Sequence, residues 1–267
     1  MQSNENKSGK GGMNPKVIAV IVAVVLILAV VIVLLLPKNE VPTLPTTLPT
    51  TSTNNSTEPT PEGPTEPVML PQMAELYAQN PDIIGWVRVE GTLLDYPVMF
   101  TPDDEEKYIR ADFKGNLSMA GLPFMDKDCS MDPESQNLVI YGHNMKNGTA
   151  FKTLFDYTDK KFWEEHPTIY FSTLYEERTY EVLAVFYDRV YKKSDTCFKF
   201  YNFINPPTEE TFNEGITYFK DNALYDTGVT AEQGDRLISL VTCSYHTDNG
   251  RLVLVAREVT EGQNTEG

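Results

Sequence analysis

Nucleophilic and acid–base chemistry in this 267-residue chain rests on three cysteines and three histidines. Cys243 ends the apolar run Leu237-Ile-Ser-Leu-Val-Thr-Cys243, and Arg251 opens a second apolar run beyond Asp248-Asn249-Gly250. Apolar, β-branched runs flanking a polar turn predict a β-hairpin, which sets Cys243 and Arg251 near one rim of a sheet. A thiol beside a permanently charged guanidinium suits a site that holds a thiolate and then stabilises an oxyanion. The competing reading is a buried structural cysteine near a surface arginine. His143 stands where Leu138-Val-Ile-Tyr141 gives way to Gly142-His143-Asn144. Gly142 permits a tight turn there, and strand ends and loops collect ordinary polar residues as well as functional ones. Cys129 and Cys197 lie in polar loops with acidic residues as near as basic ones, so neither thiol has an activating environment. Three cysteines cannot all pair internally, which leaves at least one free or paired with another molecule. His166 follows a helical stretch, and His246 shares only the unsupported pair Cys243-Ser-Tyr-His246. Zinc sites use denser ligand spacings, so no metal and no other cofactor is expected.

The elements that must position these residues follow from hydrophobic pattern. Strands are predicted over residues 83–89, 93–99, 121–125, 137–141, 168–172, 179–187, 237–243 and 252–257, and helical stretches over 70–79, 105–113, 150–165 and 209–222. Eight short strands with turn signals between them predict a mainly β fold, a barrel or a sandwich. This domain occupies residues 68–260, and residues 261–267 form a C-terminal tail. Ahead of it, Val17–Leu36 is an unbroken run of Val, Ile, Leu and Ala, long enough as a helix to span a ~30 Å hydrocarbon core. Pro37-Lys38 follows where a cleaved leader would carry small residues, so the run reads as an uncleaved signal-anchor. Lys7, Lys10 and Lys16 precede it, which places residues 1–16 in the cytoplasm and the bulk of the chain outside. Residues 37–67, rich in Thr, Pro and Glu, read as an extended stalk. The net charge is −16, and an acidic domain without a basic stripe excludes nucleic acid as a partner.

Taken together, Gly142-His143-Asn144 after an apolar strand, Leu240-Val-Thr-Cys243, and Arg251 at the start of the last strand resemble a class B sortase. Asn80-Pro-Asp-Ile-Ile-Gly-Trp-Val-Arg-Val-Glu-Gly-Thr and Asp95-Tyr-Pro-Val98 match as well, and the likeness runs from about Leu70 to Arg257. It implies an eight-stranded sortase-type β-barrel with an N-terminal helix, and a helix over 209–222 inserted between strands six and seven. The chain departs from the family pattern at Ser239, where the motif usually begins with Thr, and at Val241, where many class B members carry Ser. The resemblance implies Cys243 as nucleophile, His143 as acid and base, and Arg251 as oxyanion stabiliser. It implies Thr242, Val241, Ser239 and Asn144 as substrate-binding residues. The implied reaction cleaves a sorting signal of Asn-Pro-x-Thr or related Pro-x-Thr type after Thr, through a thioester. The implied partners are surface proteins that carry this C-terminal signal, and a peptidoglycan amine that accepts them in a Gram-positive-type envelope. Two other readings of the residues stand beside it: a cysteine hydrolase of the envelope, and a membrane-tethered β domain that binds without catalysing.

Overall fold

Strand pairing closes a barrel in the order β1-β2-β3-β4-β7-β8-β6-β5. The strands are β1 (Ile83–Arg88), β2 (Asp95–Met99), β3 (Phe124–Met125), β4 (Asn137–Gly142), β5 (Thr168–Thr173), β6 (Glu177–Arg189), β7 (Leu237–Cys243) and β8 (Gly250–Glu258). This computed structural model describes residues 42–43 and 67–260. The predicted anchor Val17–Leu36 and the C-terminal tail lie outside the described residues, as does the stalk apart from Pro42, Thr43 and Pro67. Among the described helices none is long and apolar enough to cross a membrane.

The eight-stranded, mainly β architecture agrees with the expectation. β7 is the strand that organises it, paired in parallel with β4 on one side and antiparallel with β8 on the other. Nearly all of β7 is buried on both faces, and a strand so placed is predominantly apolar. Leu237, Ile238, Leu240 and Val241 are all fully buried, each contributing about 1.5–3 kcal/mol by leaving water. Closure of the sheet leaves the described strands no free edge of the kind that pairs with other chains.

Helix α1 (Pro71–Gln79) precedes the barrel and buries Met73 and Leu76. Helix α3 (Glu209–Asn222) is inserted between β6 and β7. Thr208 caps its N-terminus in a reciprocal pair with Thr211, which satisfies donors the first helical turn leaves open. Phe212, Ile216 and Phe219 recur at helical spacing on its buried face. Phe219 stacks on Phe186 of β6 with centroids 5.5 Å apart.

Two predicted helical stretches come out differently. Within 105–113 helical structure is confined to Lys107–Ile109, a single turn of the 3₁₀ type. The chain then reverses because the Asp112 carboxylate accepts the backbone N–H groups of Lys114 and Asn116, at 2.9 and 2.8 Å. Such local side-chain bonds compete with helix continuation. Within 150–165 the chain forms a 3₁₀ run, Phe151–Thr158, then a break at Asp159, then the short helix α2 (Lys160–Glu165). Asp159 is extended and accepts from the Lys161 N–H, so it starts a new helix. β3 is shorter than 121–125, since Gly121 takes φ +56° and the Leu122 N–H is committed to the Tyr108 carbonyl. β6 runs past its predicted ends, with a register shift between Val182 and Ala184.

Candidate active site

The ladder that runs through β4, β7 and β8 brings distant residues together. Gly142 pairs with Thr242 across the parallel β4–β7 ladder, so His143, one residue on, comes level with Cys243. Cys243 in turn pairs directly with Arg251 across the antiparallel β7–β8 ladder. Adjacent strands lie about 4.8 Å apart, so His143, Cys243 and Arg251 form a row at the ends of three neighbouring strands. Cys243 stands in the middle of that row, and all three are partly exposed.

Each member of the row is held by the chain around it. Gly142 lies within β4, so its role differs from the predicted turn. A Cβ at this position would come within 2.5 Å of the Phe151 ring, and its absence lets that buried ring close against the strand end. The Phe151 N–H then donates to the His143 carbonyl at 2.9 Å. The imidazole Nε2 lies 2.8 Å from the Ile109 carbonyl oxygen. The Asn144 amide donates to the Cys243 carbonyl at 3.0 Å. The Thr242 hydroxyl donates to the Gly142 carbonyl at 2.8 Å and stitches β7 to β4 beside the thiol. Arg251 Nη1 donates to the carbonyls of Asn249 and Gly250, at 3.2 and 2.9 Å. Asn249 takes φ +55° in this turn, a conformation asparagine tolerates better than most residues.

The row lines a cavity of about 150 Å³, together with Ile109, Phe124, Tyr141, Gly142, Val241 and Thr242. Most of this lining is apolar, and polar groups meet at one rim, the usual make-up of a site that orients a small-molecule or peptide group. Tyr141 donates its hydroxyl to Asp126 at 2.8 Å. Burial, with the Asp126 charge beside it, raises the tendency of Tyr141 to keep its proton well above the ordinary phenol range. It presents a neutral ring to the cavity.

The expected substrate-binding residues divide. Val241 and Thr242 line the cavity, although the Thr242 hydroxyl is already engaged. Asn144 turns its amide to the Cys243 backbone, which braces the end of β7. Ser239 does not line the cavity. It is buried and donates to Asn137 Oδ1 at 3.0 Å, so its hydroxyl serves the β4–β7 seam. Cys129, placed by sequence in a polar loop, is buried. Its Sγ accepts from the Val139 N–H at 3.4 Å, and the thiol donates to the Asn137 carbonyl at 3.6 Å. Burial pushes its pKa up to about 12, so it stays a thiol. Cys197 is exposed and does not line the cavity. Sequence reasoning passed over Ile109, Phe124 and Tyr141. Tyr141 adjoins Gly142-His143, and the β3–β4 pairing of Phe124 with Tyr141 brings Phe124 in. Ile109 acts through a backbone carbonyl, which leaves no mark in residue type.

Comparison with known proteins gives concordant results. A family model described as Sortase domain matches residues 87–259. Sortase B of Listeria monocytogenes is 30% identical over 192 residues, which is 71% of this chain and 75% of the relative. A Staphylococcus aureus sortase B–substrate complex superposes with TM-score 0.64 at 25% identity, over 72% of this chain and 87% of that one. A sortase B complexed with triglycine superposes with TM-score 0.64 at 26% identity, over 72% and 86%.

Proposed function

The chain belongs to the sortase family, in its class B branch of cysteine transpeptidases, and on that premise we propose that Cys243, His143 and Arg251 carry out its reaction. The observation that supports this reading is the cross-strand row itself, with Cys243 between a histidine and an arginine at the mouth of one cavity. The Cys243 thiolate attacks the carbonyl carbon of the Thr in a sorting signal. Arg251 stabilises the tetrahedral oxyanion, and its turn carbonyls engage Nη1 alone, leaving Nη2 and Nε of the fork for substrate. His143 donates a proton to the departing amine, and a thioester remains on Cys243. An incoming amine then gives its proton to His143 as it attacks the thioester, which forms a new amide and restores the thiolate.

The donor is a surface protein bearing an Asn-Pro-x-Thr or related Pro-x-Thr signal, and the acceptor is a peptidoglycan amine. The relatives solved with a substrate and with triglycine favour a peptide donor and an amine acceptor. Val17–Leu36 anchors the chain in the cell membrane and residues 37–67 hold the barrel outside it. A peptide-library cleavage screen, run with and without triglycine, tests the proposal. Cleavage after Thr in Pro-x-Thr peptides, with transfer to triglycine when it is present, is the expected result. Cleavage without a Pro-x-Thr preference overturns the substrate assignment, and water as the sole acceptor makes the protein an envelope hydrolase.

A further inference from the structure

The contact between His143 and Ile109 has a consequence for which imidazole nitrogen does the chemistry. A carbonyl oxygen can only accept a hydrogen bond, and Nε2 of His143 lies 2.8 Å from the oxygen of Ile109. Nε2 therefore carries a hydrogen in the neutral ring, and Nδ1 is the nitrogen with a lone pair to offer. Which nitrogen of a histidine exchanges protons is set by the bond the other one makes. In serine-type triads a carboxylate makes that bond. Here a neutral backbone carbonyl occupies the equivalent place, and the chain has built a support for it.

The support begins at the entrance to β1. Ile109 ends the 3₁₀ turn Lys107–Ile109, and its own N–H donates to the Glu106 carbonyl at 3.1 Å. Tyr108, in the same turn, is only 1% exposed. Its hydroxyl donates to Asp82 Oδ2 at 2.7 Å and accepts from Asn80 Nδ2 at 2.7 Å. Lys107 reaches the same Asp82 oxygen at 2.6 Å. On the other side the Tyr108 carbonyl accepts from the Leu122 N–H at 3.0 Å. Gly121 lies against both carbonyls at φ +56°, and a Cβ there would come within 2.6 Å of the Ile109 oxygen and closer still to that of Tyr108. Any side chain at 121 would have to displace the carbonyl that faces His143.

We propose that the Ile109 carbonyl fixes His143 as the Nε2–H tautomer, so that Nδ1 exchanges the proton with substrate, and that Tyr108 and Gly121 are positioning residues that hold this carbonyl. The inference rests on His143 as the acid and base of the reaction. When both nitrogens are protonated, Nδ1–H gives its proton to the leaving amine and the ring is left neutral with Nε2–H intact. The incoming amine later returns a proton to Nδ1, so the Nε2 hydrogen stays in place throughout.

The tautomer is read directly by nitrogen NMR of the full chain labelled with ¹⁵N-histidine, at alkaline pH where titration shows the rings to be neutral. His143→Ala identifies the His143 signals by their loss. The expected spectrum of wild type, and of Cys243→Ala, shows His143 almost wholly as Nε2–H. A dominant Nδ1–H form, or an even mixture, overturns the proposal. Gly121→Ala, and Tyr108→Phe as the milder change, should shift His143 toward a mixture while leaving the His166 and His246 signals unmoved. In these variants kcat should fall by up to ~10², the loss expected when a reacting group is misplaced by about 1 Å. A folded Tyr108→Phe protein with the wild-type tautomer and rate would remove Tyr108 from the support. Transpeptidation by His143→Ala at the wild-type rate would instead strike at the acid–base role, and the tautomer measurement would stand independently.

Discussion

Environment separates the three cysteines. Cys129 is buried behind β4 with its pKa pushed up to about 12, whereas Cys243 is partly exposed at a strand end opposite Arg251. Iodoacetamide at mildly alkaline pH should therefore label Cys243 and the exposed Cys197 in the folded protein, and reach Cys129 only after unfolding, as peptide mass mapping would record. The folded state holds the Cys129 proton more tightly than the unfolded chain. Its contribution to stability is thus complete below the ordinary thiol value of 9.0 and is lost as pH rises toward about 12. Cys243→Ala should abolish cleavage of a sorting peptide, and Cys129→Ser and Cys197→Ser should each leave the rate within a few-fold of wild type. Arg251→Lys keeps the charge but loses the planar fork. It should lower kcat/KM by ~10²–10³, the size of effect seen when an oxyanion donor is removed. A lysine variant at the wild-type rate would show that charge alone suffices.

At the level of elements, what positions the site is the register of β4, β7 and β8, and much of it could be read in advance. Two apolar runs around Asp248-Asn249-Gly250 gave the β7–β8 hairpin, so the pairing of Cys243 with Arg251 was legible. The neighbour on the other side was not. The β4–β7 ladder is parallel and joins residues about a hundred positions apart, and no local pattern encodes which strand lies next to which. Gly142 was legible as a special position for the wrong reason, since its need comes from the Phe151 ring, a contact that spacing cannot reveal. Gly142→Ala should accordingly cost both stability and activity, because the Phe151 ring must shift and the bond from its N–H to the His143 carbonyl must weaken. A matching fall in thermal midpoint and in kcat would support this, while an unchanged kcat would show that Phe151 does not transmit strain to His143. The Lys107–Ile109 turn was misread as a helix because Asp112 diverts the chain by side-chain bonds. Asp82, which anchors that turn, is pulled up by burial but more strongly down by its bonds from Lys107 and Tyr108, so its pKa lies below the ordinary 3.8. A lowered carboxylate stabilises the fold above its unfolded value and loses that contribution as pH falls through the folded one. Asp82→Asn should therefore flatten the acid limb of the stability curve below about pH 4, measured by thermal melts, and leave the neutral region merely lower.

For the molecule as a whole, the barrel contains every residue assigned to the reaction, and all of them lie between Tyr108 and Arg251. A protein that begins at Val68 should fold and cleave peptides with the kinetics of the full chain, and a well-folded but inactive truncation would show that residues 1–67 do more than place the domain. The row at the barrel rim makes cysteine chemistry the reaction the fold supports. The most direct test of that account is to mix the protein with a Pro-x-Thr peptide, quench it, and locate the adduct by intact and peptide mass spectrometry, with and without triglycine. The account predicts a thioester on Cys243 carrying the peptide up to its Thr, which disappears as a peptide–triglycine product forms. An adduct on Cys197 or Cys129, or product formation in Cys243→Ala, would contradict it.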